Sequence, residues 1–489
     1  MRKPPEVFDR DAEWAELVRF VSAPMDGATL GVVSGRRRQG KTFLLDALVR
    51  AAGGFMFTAT EASEADALRQ YGNAISEHLR QPTPLRFADW DEAVTRTLAL
   101  APDRPVPVVI DEFPFLARSS PALPSIIQRA LDPGAQRTNT RVRLLLCGSA
   151  LSFMGSLLSG TAPLRGRAGL ELVVPTLDYR LAARFWGIDD PRTAVLTNAI
   201  VGGTPAYRNE FTQGDVPGGS DDFDAWVVRA VLNPARPLFR EGRYILAEEP
   251  DLRDPALYHS VLAAIADGNT QRGRIASYLG RQASDLGHAL RVLEGVGMVT
   301  REEDAFRANR GAYRIAEPLV TFYHAVMRPA WGDLERVGRA ARVWPRLRHT
   351  FLSKVVGPHF ESICRQWARW DAEPDTFDGR PHRVAAGGVS DPAARTTHKV
   401  DVAAFGRDPG GQEILLGIGE AKWSEVVGVA HLRRLDHIRQ LLRGRLGGRA
   451  QRCRLLLFGG AGFTEELRAV AAADRSVELI GLDRLYADT

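Results

Sequence analysis

Gly35-Arg36-Arg37-Arg38-Gln39-Gly40-Lys41-Thr42 has the spacing GxxxxGK[ST], and its reading decides the fold of the N-terminal part of the chain. The spacing carries weight only between a strand and a helix. Both flanks are present: Leu30-Gly31-Val32-Val33-Ser34 is a short apolar β-type run, and the residues from Thr42 onward, TFLLDALVRAA, repeat apolar side chains at helical spacing. Residue types explain the chemistry. Gly35 and Gly40 let the backbone of the loop, Gln39 included, turn its amides toward a phosphate chain. Lys41 reaches the β and γ oxygens, Thr42 offers a hydroxyl to Mg²⁺, and the helix N-terminus adds partial positive charge. The loop is therefore expected to hold a nucleotide.

Working outward, short apolar runs alternate with helical patterns from about residue 28 to 210: LGVVSG, GFMFTA, PVVIDE, RLLLCGS and LELVVP. That alternation predicts a parallel sheet wrapped by helices. The run Val106 to Ile110 ends in Asp111-Glu112. At the C-terminal end of a buried strand, Asp111 is placed to complete the Mg²⁺ shell with Thr42, and Glu112 to orient or deprotonate an attacking water. RLLLCGSAL ends at Ser149, where a γ-phosphate sensor or a simple helix cap would sit; the residues leave both open. Arg165 and Arg167 of PLRGRAGLELVVP offer charge to a transferring phosphoryl group, or are merely solvated.

In order, FDRDAEWAEL, GRRRQGKT, VVIDEF, LLLCGS, LRGRAG and GGTPAY resemble the archaeal-type P-loop ATPases of the STAND class, relatives of AAA+ proteins, over about residues 6 to 245. The resemblance implies ATP and Mg²⁺ as cofactors, ATP hydrolysis, and a GxP element, here Gly203-Thr204-Pro205, with Pro205 near the adenine. The bare motif also admits GTP, but no NKxD-like guanine reader is present. Assembly with further copies or with a protein partner is compatible with that class.

Residues 256 to 316 read as three short helices and two strands, MVTREE and AYRIAE, which is winged-helix order. Its recognition helix, Gln282 to Gly295, presents Arg281, Asp285, His288 and Arg291, a thin set for reading bases; protein docking stands equal with DNA binding. Arg301, Arg307, Arg310 and Arg314 in the wing suit phosphate contact without sequence preference.

The last third places Asp401 in HKVDVAAFG and Glu420 and Lys422 in EILLGIGEAKW. Residues two apart on a strand share a face, so Glu420 and Lys422 project together and converge with Asp401 of a neighbouring strand. Two carboxylates of this kind suit a divalent metal, and an adjacent lysine suits the positioning or deprotonation of water and the offset of developing charge. With Glu361 on the preceding helix, the arrangement resembles the PD-(D/E)xK nuclease superfamily, Val400 standing where the proline of the name would be. The resemblance implies a metal held by Glu361, Asp401 and Glu420, and it leaves cleavage and binding without cleavage both open. Arg433, Arg434, Arg439, Arg443 and Arg445 follow on a helix and its exit, a face for a nucleic-acid backbone or a solvated cover for the sheet.

The 489 residues exceed one ordinary core. The expected division is a P-loop core (1–210), a helical lid (211–255), a winged helix (256–328) and a nuclease-like α/β domain (329–489). A net charge of +5 neither demands nor excludes nucleic acid. Cys147, Cys364 and Cys453 are odd in number and far apart, which argues for buried thiols and against a disulfide framework. No apolar run spans a bilayer and MRKPPEVFDRDAEWAEL has no apolar h-region, so the expectation is a cytoplasmic protein without a membrane partner. Two functions follow: an ATPase that engages DNA and cuts it with its C-terminal domain, or a nucleotide-dependent switch whose C-terminal domain binds nucleic acid or protein uncut.

Overall fold

A computed structural model describes residues 1–132, 140–246, 254–308 and 310–487. They form two compact units, Met1–Thr176 with Thr204–Ala206, and Leu177–Gly203 with Tyr207–Thr489.

The first unit is built on five strands: β1 (Thr29–Ser34), β2 (Phe55–Thr58), β3 (Val106–Asp111), β4 (Val142–Gly148) and β5 (Ala168–Val173). Their order is β2-β3-β4-β1-β5 and every pairing is parallel. All six residues of β3 and all seven of β4 are buried, as a sheet covered on both faces requires. Alternation along β4 sends Leu144 and Leu146 into one core and Leu145 and Cys147 into the other. The predicted parallel α/β sheet is present, and β4 lies between the strand that feeds the phosphate loop and the strand that ends in Asp111.

The second unit contains the helices Pro255–Ala266, Arg272–Tyr278 and Leu286–Gly295, followed by an antiparallel hairpin of β6 (Val299–Glu303) and β7 (Gly311–Ile315). They enclose one core that includes Leu262, Ile275, Leu290 and Tyr313. Residues 247–253 of the segment expected to form a lid lie outside the described residues. Further on comes a mixed sheet of β8 (Arg383–Asp391), β9 (Thr396–Arg407), β10 (Glu413–Lys422), β11 (Arg454–Gly459) and β12 (Val477–Gly481), in the order β12-β11-β10-β9-β8. β8–β9 and β9–β10 pair antiparallel, while β10–β11 and β11–β12 pair in parallel. The helix Gly357–Trp370 packs toward one face, with Phe360 and Trp367 in its core, and the helix Val429–Leu446 covers the other with Leu435 and Ile438.

Cys147, Cys364 and Cys453 are buried free thiols, and burial is the largest of the influences that raise the pKa of each. No helix among the described residues is long and apolar enough to cross a membrane.

Candidate functional sites

The phosphate loop leaves β1 at Ser34 and enters the helix Lys41–Ala52. Gly35 has φ +149°, and a Cβ there would stand 2.5 Å from the Val174 carbonyl oxygen, so the loop can turn this tightly beside β5 only with glycine. Lys41 is buried and its Nζ donates to the Arg36 carbonyl at 2.8 Å, directed along the inside of the loop. Burial lowers its pKa, partly offset by the carboxylates of Glu112 and Asp111. Thr42 Oγ1 donates to Asp111 Oδ2 at 2.7 Å, which brings the two expected Mg²⁺ ligands together. Asp111 Oδ1 accepts from the Glu112 backbone N–H at 3.0 Å, and Ser149 Oγ lies 3.3 Å from both Glu112 carboxylate oxygens. Glu112 is in the left-handed region at φ +50°, a conformation of about 1–2 kcal/mol for a non-glycine residue that recurs at functional sites.

Gln39 is 2% exposed, and its Nε2 donates to Thr204 Oγ1 at 3.2 Å, which ties the loop to the residue preceding Pro205. Arg167 is not brought to the loop. It precedes β5, whose Ala168 pairs with Leu30 at the start of β1, and it forms an ion pair with Asp132 at 2.5 Å. That is the opposite end of the sheet, one strand length or about 17 Å from Gly35. Arg165 donates to the Gly160 carbonyl.

A second constellation lies where β9 and β10 meet. The register sets Val402 opposite Gly419, so Asp401 adjoins Glu420, and Asp401 Oδ2 accepts from the Ala421 backbone N–H at 3.0 Å. Glu361, Asp401, Glu420 and Lys422 all line one cleft of about 410 Å³, together with Lys399, His431 and Arg434. Sequence reasoning missed Lys399 as a member, although it is two residues before Asp401 and so shares its face. Lys399 Nζ bridges Glu361 Oε1 at 2.6 Å and Asp401 Oδ1 at 2.9 Å. Arg434 reaches Glu420 Oε1 at 2.6 Å and the Lys399 carbonyl at 3.3 Å. Lys422 Nζ is 3.3 Å from both Glu420 Oε1 and Glu425 Oε1.

Asp401 and Glu420 are 6% and 4% exposed. Glu420 Oε2 has no hydrogen-bond partner among the described residues, and Asp401 Oδ1 has only the ion pair, without an aligned hydrogen bond. Buried acceptors left in that state suit a cation. Burial pulls Lys422 and Lys399 down, but the carboxylates around each outweigh it and hold both above the ordinary lysine value.

The remaining basic residues are divided. Arg281, Asp285, His288 and Arg291 are exposed, as are Arg301, Arg310, Arg433 and Arg445. Arg307 instead donates to Ser390 and Thr397, and Arg314 is paired with Glu302. Arg439 is held by Asp436 and Ser476, and Arg443 by the Ala450 and Gln451 carbonyls. Three of the five arginines on the last basic helix thus bond within the chain, because the helix covers the sheet.

No family model matches the chain. An uncharacterized protein of Methanocaldococcus jannaschii is 27% identical over 310 residues, which is 62% of this chain and 65% of that protein, so the match spans just under two thirds of its relative. Among solved structures, the Walker-type ATPase of Pyrococcus abyssi aligns with a TM-score of 0.50 at 20% identity, covering 66% of this chain and 98% of that one. The five-stranded parallel sheet with its helices has the α/β fold of a P-loop ATPase. The ORC2 protein of Aeropyrum pernix in its ADPNP-ADP complexes aligns at a TM-score of 0.40 and 14% identity, over 72% of this chain and 97% of that one.

Proposed function

We propose that this protein is a cytoplasmic ATPase of the STAND-like class whose C-terminal PD-(D/E)xK-like domain engages DNA and cuts it in a metal-dependent reaction. The observation that carries the nuclease half is the convergence of Glu361, Asp401, Glu420 and Lys422, from one helix and two strands, on one cleft. Residues 1–210 act as the ATPase core, 211–255 as lid, 256–328 as a winged helix and 329–489 as the nuclease-like domain.

At the phosphate loop, Lys41 and the loop amides bind the β- and γ-phosphates. Thr42 and Asp111, already 2.7 Å apart, have the donor types to hold Mg²⁺, which when bound neutralises phosphate charge. Glu112 orients the attacking water, and Ser149 holds Glu112 in place. Thr204 fixes Gln39 of the loop and sets Pro205 beside it. Arg167 has no part in this site.

In the cleft, Glu361, Asp401 and Glu420 would hold a divalent cation, which when bound supplies Lewis acidity to the scissile phosphodiester. Lys422 steadies the charge that develops on phosphate oxygens, and Arg434 keeps Glu420 turned into the cleft. Exposed Arg301, Arg310, Arg433 and Arg445 supply contacts to a nucleic-acid backbone.

One observation favours the second reading, a nucleotide-dependent switch that binds without cutting. Lys399 bridges Glu361 and Asp401 while Arg434 pairs with Glu420, so protein cations already offset the charge a metal would neutralise. The deciding assay is cleavage of linear, supercoiled and single-stranded DNA with Mg²⁺ or Mn²⁺, with and without ATP. The expected result is metal-dependent cutting, reduced at least a hundredfold by Asp401→Ala and by Lys422→Ala, with ATP hydrolysis retained (about 3 kcal/mol or more of transition-state stabilisation). ATP turnover without cutting of any of these DNAs would move the switch reading ahead.

A further inference from the structure

At the end of β8 and near the start of β9, beside but not lining the cleft assigned above, Asp391 meets two histidines from different elements. Its Oδ2 lies 3.4 Å from His398 Nε2 on β9 and 2.8 Å from His437 Nε2 on the helix Val429–Leu446. One ligand atom from each residue falls within 4.8 Å of the others. The two imidazoles stand nearly perpendicular, at 84°, with ring centroids 5.5 Å apart.

The carboxylate itself is oriented. Asp391 is 4% exposed, and its other oxygen, Oδ1, accepts from the Ala394 backbone N–H at 3.0 Å. That outer hydrogen bond leaves Oδ2 as a single ligand atom aimed at the two histidines, the arrangement that supports carboxylate ligation in metal sites. A tetrahedral ion with ligands about 2.0–2.1 Å away needs ligand atoms roughly 3.3 Å apart. The contact with His398 has that length, and the contact with His437 would open by about half an ångström.

We propose that Asp391, His398 and His437 bind a divalent cation of the zinc class, and that this ion clamps the helix Val429–Leu446 to the β8–β9 hairpin. Two imidazoles and one carboxylate are a donor set for Zn²⁺, Co²⁺ or Ni²⁺ and a poor one for Mg²⁺ or Ca²⁺, which take oxygen ligands. With three protein ligands, the fourth position goes to water from the solvent side, where His437 is 53% exposed. Arg434 stands one turn earlier on the same helix and reaches Glu420, so the clamp holds the helix that carries this arginine. The proposal does not depend on whether the cleft cuts DNA.

The test is titration of the metal-stripped full chain with Zn²⁺, and separately with Co²⁺ followed by visible absorption. Both are done in an Asp401→Asn/Glu420→Gln background, so that the acidic cleft cannot supply the signal. The expected result is one equivalent bound with a tetrahedral Co²⁺ spectrum, and a rise in Tm on adding Zn²⁺. His398→Gln and His437→Gln should each weaken Zn²⁺ binding by about a hundredfold and abolish the Tm rise. His437 is half exposed, so its variant tests ligation in a folded chain, checked by unchanged circular dichroism. Absence of Zn²⁺ binding in the Asp401→Asn/Glu420→Gln chain, or binding that both histidine variants leave unchanged, would overturn the proposal.

Discussion

His324 is 4% exposed, and burial pushes its imidazole down to about 3, with His259 and Arg328 beside it adding to the shift. An imidazole buried in its neutral form has a folded-state pKa below its unfolded value near 6.5, so protons bind the unfolded chain preferentially. Its contribution to stability is complete above about pH 6.5 and is lost as pH falls toward 3. Chemical denaturation between pH 7 and 4 should show stability of the second unit falling on the acid side by about 1–3 kcal/mol from this group, and His324→Leu should flatten that slope. A slope unchanged in the variant would assign the loss to other groups. Residue-scale legibility varied with what the spacing encodes. Lys41, Thr42, Asp111 and Glu112 could be named because motif and strand ends fix their places, and Glu420 and Lys422 because period two puts them on one face. Lys399 carries the same period-two signal relative to Asp401. The charge of Arg167 suits a phosphate, but a residue that precedes a strand of a parallel sheet lies at the end opposite a loop that follows one. Asp391, His398 and His437 had no sequence signature, because β8, β9 and a helix bring them together only in space.

At the scale of elements, the continuous apolar runs and the MVTREE–AYRIAE hairpin are legible as strands, and β8 is not. β3 and β4 are continuous buried runs. β8, RVAAGGVSD, has small residues and two adjacent glycines and lacks the pattern of a strand. Its glycines have a structural reason. The loop after β6 lies against this edge: Ala305 N–H donates to the Ala386 carbonyl, and Gly388 N–H donates to Asp304 Oδ2. A Cβ on Gly387 would come within 2.8 Å of Phe306, 2.9 Å of the Ala305 Cβ and 3.0 Å of the Ala305 nitrogen. The register of β8 on β9 also shifts between Ala385 and Gly387, so the strand is bulged where the loop docks. Gly387→Val should therefore destabilise the chain by about 2 kcal/mol, read as a lower Tm, through overpacking against backbone that cannot retreat. Retention of the wild-type Tm would show that the loop yields freely. The same docking explains why Arg307, expected to contact phosphate, is directed at Ser390 and Thr397. Such a contact is long-range in sequence, and local pattern holds no trace of it.

At the scale of the whole molecule, length and alternating periodicity gave the α/β class of the N-terminal sheet, and the GKT loop gave its type. The order of helices, hairpin and, apart from β8, the strands of the second sheet is also legible, but which charged residues face solvent is not, since helix amphipathicity does not say which cations a sheet will engage. The phosphate loop underlies both functions, because an ATP-driven protein and a nucleotide-dependent switch each require it. Its most direct test is calorimetric titration of ATP with Mg²⁺ into the wild-type chain and into Lys41→Ala. The expected result is saturable binding at one site per chain, weakened at least a hundredfold by the substitution, with circular dichroism unchanged. ATP affinity equal in the two proteins, or no ATP binding by the folded wild type, would contradict it.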